Sequence, residues 1–233
     1  MKRRRILPYL ERLWVTDVGL TTLLASLLIY IFFLHPLAGP GWVRLLTNIF
    51  LSLILIAGAI TVSRNRIFRT LVFSWGLLTF VLLWIRFLLP YHDLIFVTSC
   101  LSLVFQVLLT FLILSQIFRE GPTTSHRIMG AVAAYLLLGV IWSQAYHLIA
   151  LRMPEAFSVQ GPFTLSYGDA LQSHLFYFSF VTLTTLGYGD IVAVHPMVRM
   201  LVILEAAAGQ LFPAILIARL VSLQVQSKHK NLK

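Results

Sequence analysis

The sequence predicts an all-α membrane protein: six transmembrane helices, with a re-entrant helix and loop between the fifth and the sixth. Three observations carry this fold class. The 233 residues are 59% hydrophobic and only 11% charged, with a mean hydropathy of +0.88. A soluble domain carries about a quarter charged residues. Apolar runs close to the roughly 20 residues that a spanning helix needs recur six times. Between the fifth and sixth runs lies "TLTTLGYGD", residues 182–190, polar and glycine-rich at a place where polar groups are costly.

The runs follow in order. Val18–Leu37, Leu45–Val62, Leu94–Phe118 and Ile128–Leu151 contain no Asp, Glu, Lys or Arg. Leu71–Leu89 contains one charge, Arg86, and Met200–Ala218 contains one, Glu205. The opening "MKRRR" has the charge of a signal-peptide start. The apolar stretch behind it is too long for an h-region, and "FFLHPLAG" offers no small-x-small cleavage site. The first run is therefore read as a retained helix. Cys100, the single cysteine, lies within the fourth run and is read as a packed thiol without a disulfide partner.

The net charge is +10, from 18 Lys and Arg against 8 Asp and Glu. With the N-terminus placed in the cytoplasm, four of the cations fall outside, Arg44, Arg86, Arg152 and Arg199, and the other fourteen fall inside. This asymmetry is the positive-inside pattern of a cell-membrane protein with both termini cytoplasmic. It suits an anionic inner leaflet and leaves no basic patch that calls for nucleic acid. Asp17, His35, His147, His174 and His195 fall near span ends and are read as interfacial, a pH-sensing histidine being the lesser alternative.

With six spans, the segment from Arg152 to Pro196 begins and ends outside. Its first part, "MPEAFSVQGPFTLSYGD", is turn-rich and reads as an exposed loop. Ala170–Thr185 is apolar and aromatic, and as a helix it would reach only about 24 Å at 1.5 Å per residue. It enters the bilayer, and "LGYGD" must bring the chain back. Non-helical backbone at that depth is tolerated only inside protein or beside a water-filled cavity. Carbonyls left unpaired there call for a polar occupant, and a dehydrated cation supplies one. Gly187 and Gly189 open backbone angles closed to other residues, so successive carbonyls can face one way. Thr185 adds a hydroxyl at the inner end, and the negative end of the short helix dipole also favours a cation.

Thr184-Thr185-Leu186-Gly187-Tyr188-Gly189-Asp190 resembles the selectivity filter of potassium channels. "HRIMGAVAAYLLLG" in run five and "LEAAAGQLFPAILIARLV" in run six are similar to bacterial six-helix channels of the ion-channel-2, pore-loop family. The likeness covers about Ser125 to Val221. Spans one to four are similar in layout only. The resemblance implies that potassium is held at Thr185, Leu186, Gly187 and Tyr188, with Gly189 completing the filter, and that carbonyl rings replace the ion's hydration shell. Leu186 stands where Val or Ile is commoner, a mild departure, since that side chain packs away from the ions. One filter copy per chain implies a homotetramer.

Thr184, Asp190, Tyr177 and Phe178 are the implied filter supports. Tyr188 would pack on Tyr177 and Phe178, and Asp190 would tie the filter to the pore helix. Val181 occupies the position where some relatives carry a glutamate partner for Asp190. Gly209 falls where the family has its hinge glycine. Pro213 lacks the N–H that would bond to the Gly209 carbonyl. A gating hinge and a static bend remain equal readings of this pair. Glu205, an acid inside a span, is a functional candidate by default. Hydrogen bonding to the back of the pore helix or filter is the leading reading, and proton sensing is the alternative.

The domain division is therefore 1–119, a four-helix region with a voltage-sensor layout, 120–223, a pore domain, and 224–233, a short cytoplasmic tail. Voltage sensing needs several cations on the fourth helix, and run four has none. Arg86 and the cluster Arg64, Arg66 and Arg69 read as anchors that snorkel to the interface. No metal-ligand spacing, nucleophile–base pair or phosphate-binding loop is present, so neither an enzyme nor a cofactor is expected. Passive potassium-selective conduction is the leading function. The alternatives are a less selective cation channel and a non-conducting membrane partner subunit. A secondary transporter would show paired inverted repeats, and none is visible.

Overall fold

In lipid a backbone must satisfy its own polar groups, and for uninterrupted apolar runs the helix does so within one segment. The computed structural model of the protein describes residues 21–34, 45, 46, 49, 52, 66–88, 92–118, 125–159 and 169–231. Most of the second apolar run, both ends of the first, the 160–168 part of the outer loop, Asp17, His35, Arg64 and the N-terminal cations lie outside these residues, as do the side chains of Arg66, Arg69 and Arg86.

Helix α1 covers 21–29 and opens into a π-turn at Tyr30–Leu34. α2 spans Arg66–Leu88, α3 His92–Ile117 and α4 Ser125–Arg152. A short helix, α5, runs over Asp169–Leu183, and a long one, α6, over Pro196–Asn231. Among the described residues, three stretches are long and apolar enough to cross a membrane: Leu94–Ser115, Ile128–Arg152 and Pro196–Arg219. Thr21–Phe33 and Ser74–Ile85 are shorter apolar helices. α6 continues well past the apolar run, into the stretch read as a tail. "VSLQVQSKHKN" holds no glycine or proline to stop it.

α4 is the hub, touching α3, α5 and α6. One apolar seam joins Leu23 and Leu27 of α1, Phe105 and Leu109 of α3, and Ala134 and Leu137 of α4. Alanines at such a seam let backbones approach, which matters where lipid removes the hydrophobic drive between helices and dispersion must replace it. The seam reaches α5 through Phe176, whose ring meets Tyr30 edge-on at 5.8 Å. Both ends of α3 are pinned. The Arg152 guanidinium lies 4.2 Å from the Phe96 ring centre, and Arg219 Nη2 donates to the Phe118 carbonyl at 3.4 Å.

Three expectations change. The segment between Arg152 and Pro196 is not all exposed loop. Phe157–Val159 pairs antiparallel with Ile191–Ala193, in the register Phe157↔Ala193, Ser158↔Val192 and Val159↔Ile191. The all-α fold thus carries a two-stranded ribbon. Its cause is local: Phe157 and Ile191 are β-formers that bury one face. A second cluster forms beneath, with Tyr146, Leu175, Phe178 and Val198. The third change concerns His147, which is buried at 3% exposure rather than interfacial, because its stretch of α4 is covered by protein.

Candidate functional site

The ribbon, α5 and α6 together position the 184–190 loop. α5 ends at Leu183, and its last carbonyls are closed by a Schellman pattern. Leu186 N donates to the Val181 carbonyl at 2.9 Å, and Thr185 N donates to that of Thr182 at 2.9 Å. Such a cap needs a left-handed residue, a place usually filled by glycine. Here Thr185 takes it, with φ 59°. A β-branched residue in this region is strained, and strain of this kind persists only where the surroundings impose it. The Thr185 hydroxyl donates to the Thr184 carbonyl at 2.7 Å, and the Thr184 hydroxyl donates to that of Phe180 at 2.7 Å.

The backbone then alternates. Gly187 has φ 57° and Gly189 φ 79°, while Leu186 and Tyr188 stay at negative φ. Positive angles at 185, 187 and 189 thus frame two negative ones. An extended strand turns successive carbonyls to opposite sides, and this alternation is the departure that lets them turn to one side. The loop N–H groups of 184–187 bond back to α5. Among the described residues, the carbonyls of Thr185, Leu186, Gly187 and Tyr188 accept no hydrogen bond. Four consecutive acceptors are therefore open in a loop held on its donor side.

The Asp190 end of the loop is fixed twice. Tyr177 of α5 hydrogen-bonds the Asp190 carboxylate, and Asp190 Oδ1 also accepts from Ile191 N at 3.0 Å. Past the ribbon, Val194 N donates to the Ala156 carbonyl at 2.8 Å and Arg199 Nε to that of Ala193 at 3.0 Å. Tyr177 thus supplies the tie that Val181 cannot. Phe178 faces away from this point, packing edge-on against Tyr146 at 5.4 Å and Phe157 at 5.6 Å. Tyr188 is 68% exposed on the single chain. Within one chain, Phe178 thus belongs to the cluster under the ribbon.

Behind the loop, Glu205 is fully buried. The Tyr146 hydroxyl donates to its Oε2 at 2.6 Å, and Ser179 Oγ lies 2.5 Å from its Oε1. Ser179 also reaches the Gly139 carbonyl at 2.8 Å. One acid thus joins α4, α5 and α6. At the start of the loop, Tyr135 donates to the Leu183 carbonyl at 3.3 Å. Gly209 packs on that same carbonyl: a Cβ built there would lie 1.9 Å from the oxygen. α6 runs unbroken through Gly209 and Pro213, so close approach is by itself a reason for glycine at this position. The neighbouring Gln210 donates from Nε2 to Thr185 Oγ1 at 2.7 Å.

Sequence reasoning singled out Glu205, Gly209 and the loop, and missed Tyr135, Tyr146, Ser179 and Gln210. Hydroxyl and amide groups on otherwise apolar helices were the available signal. Their partners lie 26 to 59 residues away in sequence for Ser179 and Tyr146, and no spacing rule links them.

Residues 134–226 match the model of a family described as an ion channel. The match runs from α4 through α6 and includes the loop, Glu205 and Gln210. No curated protein and no solved structure matches the chain. With three apolar helices of spanning length, the match supports an ion-channel function in a membrane.

Proposed function

We propose that the protein is a potassium-selective channel subunit. It conducts passively through a homotetrameric pore whose filter is formed by Thr185, Leu186, Gly187, Tyr188 and Gly189. The observation that carries this reading is the row of four open carbonyls, 185–188, on a backbone of alternating φ. Rings of such carbonyls replace the hydration shell of a dehydrated cation. One loop per chain requires four chains around an axis. The surface of α6 supports this: only 11% of its apolar span is buried within one chain, and Met200, Ile203, Leu211 and Ile215 are exposed. The positive-inside pattern supports a cell-membrane location with cytoplasmic termini. The second reading is a less selective cation channel: Asp190 is tied by the neutral phenol of Tyr177, and Val181 provides no carboxylate beside it.

The test is flux of potassium against sodium in liposomes holding the full chain, beside Gly187→Ala. An added Cβ at Gly187 meets nothing within 4 Å, but its φ of +57° is one that alanine disfavours by about 1–2 kcal/mol. The substitution should turn the carbonyls out of line and abolish potassium flux. Equal sodium and potassium flux in the wild type would favour the second reading. Undiminished selective flux in Gly187→Ala would overturn the filter assignment.

Voltage dependence follows from α3, whose membrane stretch Leu94–Ser115 contains no charged residue. One elementary charge crossing the field changes an equilibrium e-fold over about 25 mV. Current through the reconstituted protein is expected to change more gradually than that. A rise e-fold over a few millivolts in planar-bilayer recordings would show gating charge elsewhere.

A further inference from the structure

We propose that Gln210 is a specificity-determining residue of the ion path, fixing the Thr185 hydroxyl as the innermost coordinating group; this rests on the filter reading above. Between Glu205 and Arg219, Gln210 is the only polar side chain on α6. An amide in such a span is costly unless bonded. Its partner is the Thr185 hydroxyl of the loop, at 2.7 Å.

The direction of the bond is dictated by proton count. A hydroxyl has one proton, and the Thr185 proton goes to the Thr184 carbonyl at 2.7 Å. Gln210 must therefore present its N–H to Thr185 Oγ1. Two bonds then hold the hydroxyl, one donated and one accepted, and a second lone pair is left for an ion. Without Gln210, the oxygen is held only by a bond to its neighbour's carbonyl, in a residue already strained at φ 59°.

The two polar residues of this stretch divide α6 into two faces. Glu205 and Gln210 are five residues apart, about 140° around a helix. Glu205 points to Tyr146 and Ser179, behind the loop. Gln210 is exposed and meets the loop from the opposite side. Gly209 sits between these contacts, against the Leu183 carbonyl, so α6 lies at the depth where the amide reaches Thr185. In a fourfold assembly four such amides would form one ring at the inner mouth of the filter.

The test is calorimetric binding of potassium, sodium and barium, as chlorides, to the full chain in lipid nanodiscs. Barium has nearly the radius of potassium and twice its charge. Binding does not require an open gate, so a closed wild type still reports. Gln210→Leu is expected to weaken potassium and barium binding together, by about ten-fold, the worth of one hydrogen bond. Gln210→Glu keeps the length, loses the donor and adds a negative charge. It is expected to shift binding toward barium over potassium by at least about ten-fold. An equal loss for both ions in one variant and a changed barium-to-potassium ratio in the other is a pattern that a purely structural role would not produce. If Gln210→Leu fails to assemble, Gln210→Asn, one methylene short of the hydroxyl, is read in the same way. Potassium and barium binding within about two-fold of wild type in both variants would overturn the Gln210 assignment alone. A wild type that binds no potassium would overturn the filter reading and this inference with it.

Discussion

Gly209→Ala is expected to prevent α6 from packing against the end of α5. The added Cβ would lie 1.9 Å from the Leu183 oxygen, 2.8 Å from its carbonyl carbon and 3.1 Å from its Cα. These are backbone atoms and cannot swing aside as a side-chain tip does. Overpacking in a close-packed interior costs about 1–3 kcal/mol where neighbours relax, and more where they do not. Here relief requires α6 to move away from the end of α5. That shift would strain the Tyr135 bond to the Leu183 carbonyl and withdraw Gln210 from Thr185. Thermal melting of the reconstituted chain, read beside potassium flux, should show both reduced. Gly187→Ala is the matched contrast: its Cβ has open space and its cost is confined to the backbone angle, so it should melt only a little below wild type yet fail to conduct. The pair also separates two roles for Gly209. A pure hinge would change open probability while leaving the melting temperature in place. A Gly209→Ala protein that melts and conducts like wild type would remove the close approach as a constraint.

The second large effect belongs to Glu205. Glu205→Leu removes the partner of two buried hydroxyls, Tyr146 and Ser179. Each unsatisfied buried group costs about 1–3 kcal/mol, and the two share one network, so the losses need not add. Glu205→Gln should be far milder. Ser179 has one proton and two acceptors in reach, the Gly139 carbonyl and Glu205 Oε1. A glutamine at 205 can accept from Tyr146 through its carbonyl and donate to Ser179 Oγ through its amide. That frees the serine proton for Gly139, and both buried hydroxyls keep their partners. The expected order in thermal melting is wild type close to Glu205→Gln, with Glu205→Leu well below. Equal melting of Glu205→Gln and Glu205→Leu would mean that the acid's charge, rather than its hydrogen bonds, joins the three helices.

Much of the architecture is legible in the chain itself. The apolar runs placed α3, α4 and α6, because in lipid a helix-forming apolar segment has little alternative. The loop was legible from "TTLGYGD", because glycines and a carboxylate break the apolar pattern on either side of them. The strand at Phe157–Val159 was not, since three residues inside a turn-rich segment carry too little period to register. His147 was misplaced because linear position near a span end reports depth in the bilayer and says nothing of which helix covers it. Phe178 and Tyr177, adjacent in sequence, point about 100° apart on one helix, so one enters the cluster and the other meets Asp190.

By itself, then, the sequence determined that the chain is a helical membrane protein with a polar, glycine-bearing loop between its last two apolar runs, and that its fourth run carries no charge. Composition and spacing suffice for those, because membrane insertion is decided segment by segment. The tertiary structure alone decided which groups serve the loop. Thr185 takes a left-handed angle, Tyr177 reaches Asp190, Tyr146 and Ser179 hold Glu205, and Gln210 reaches Thr185. The last three are hydrogen bonds between separate elements, and such contacts depend on helix packing to a fraction of an ångström. Packing is set by the shapes of both partners together, which no single segment of the sequence contains.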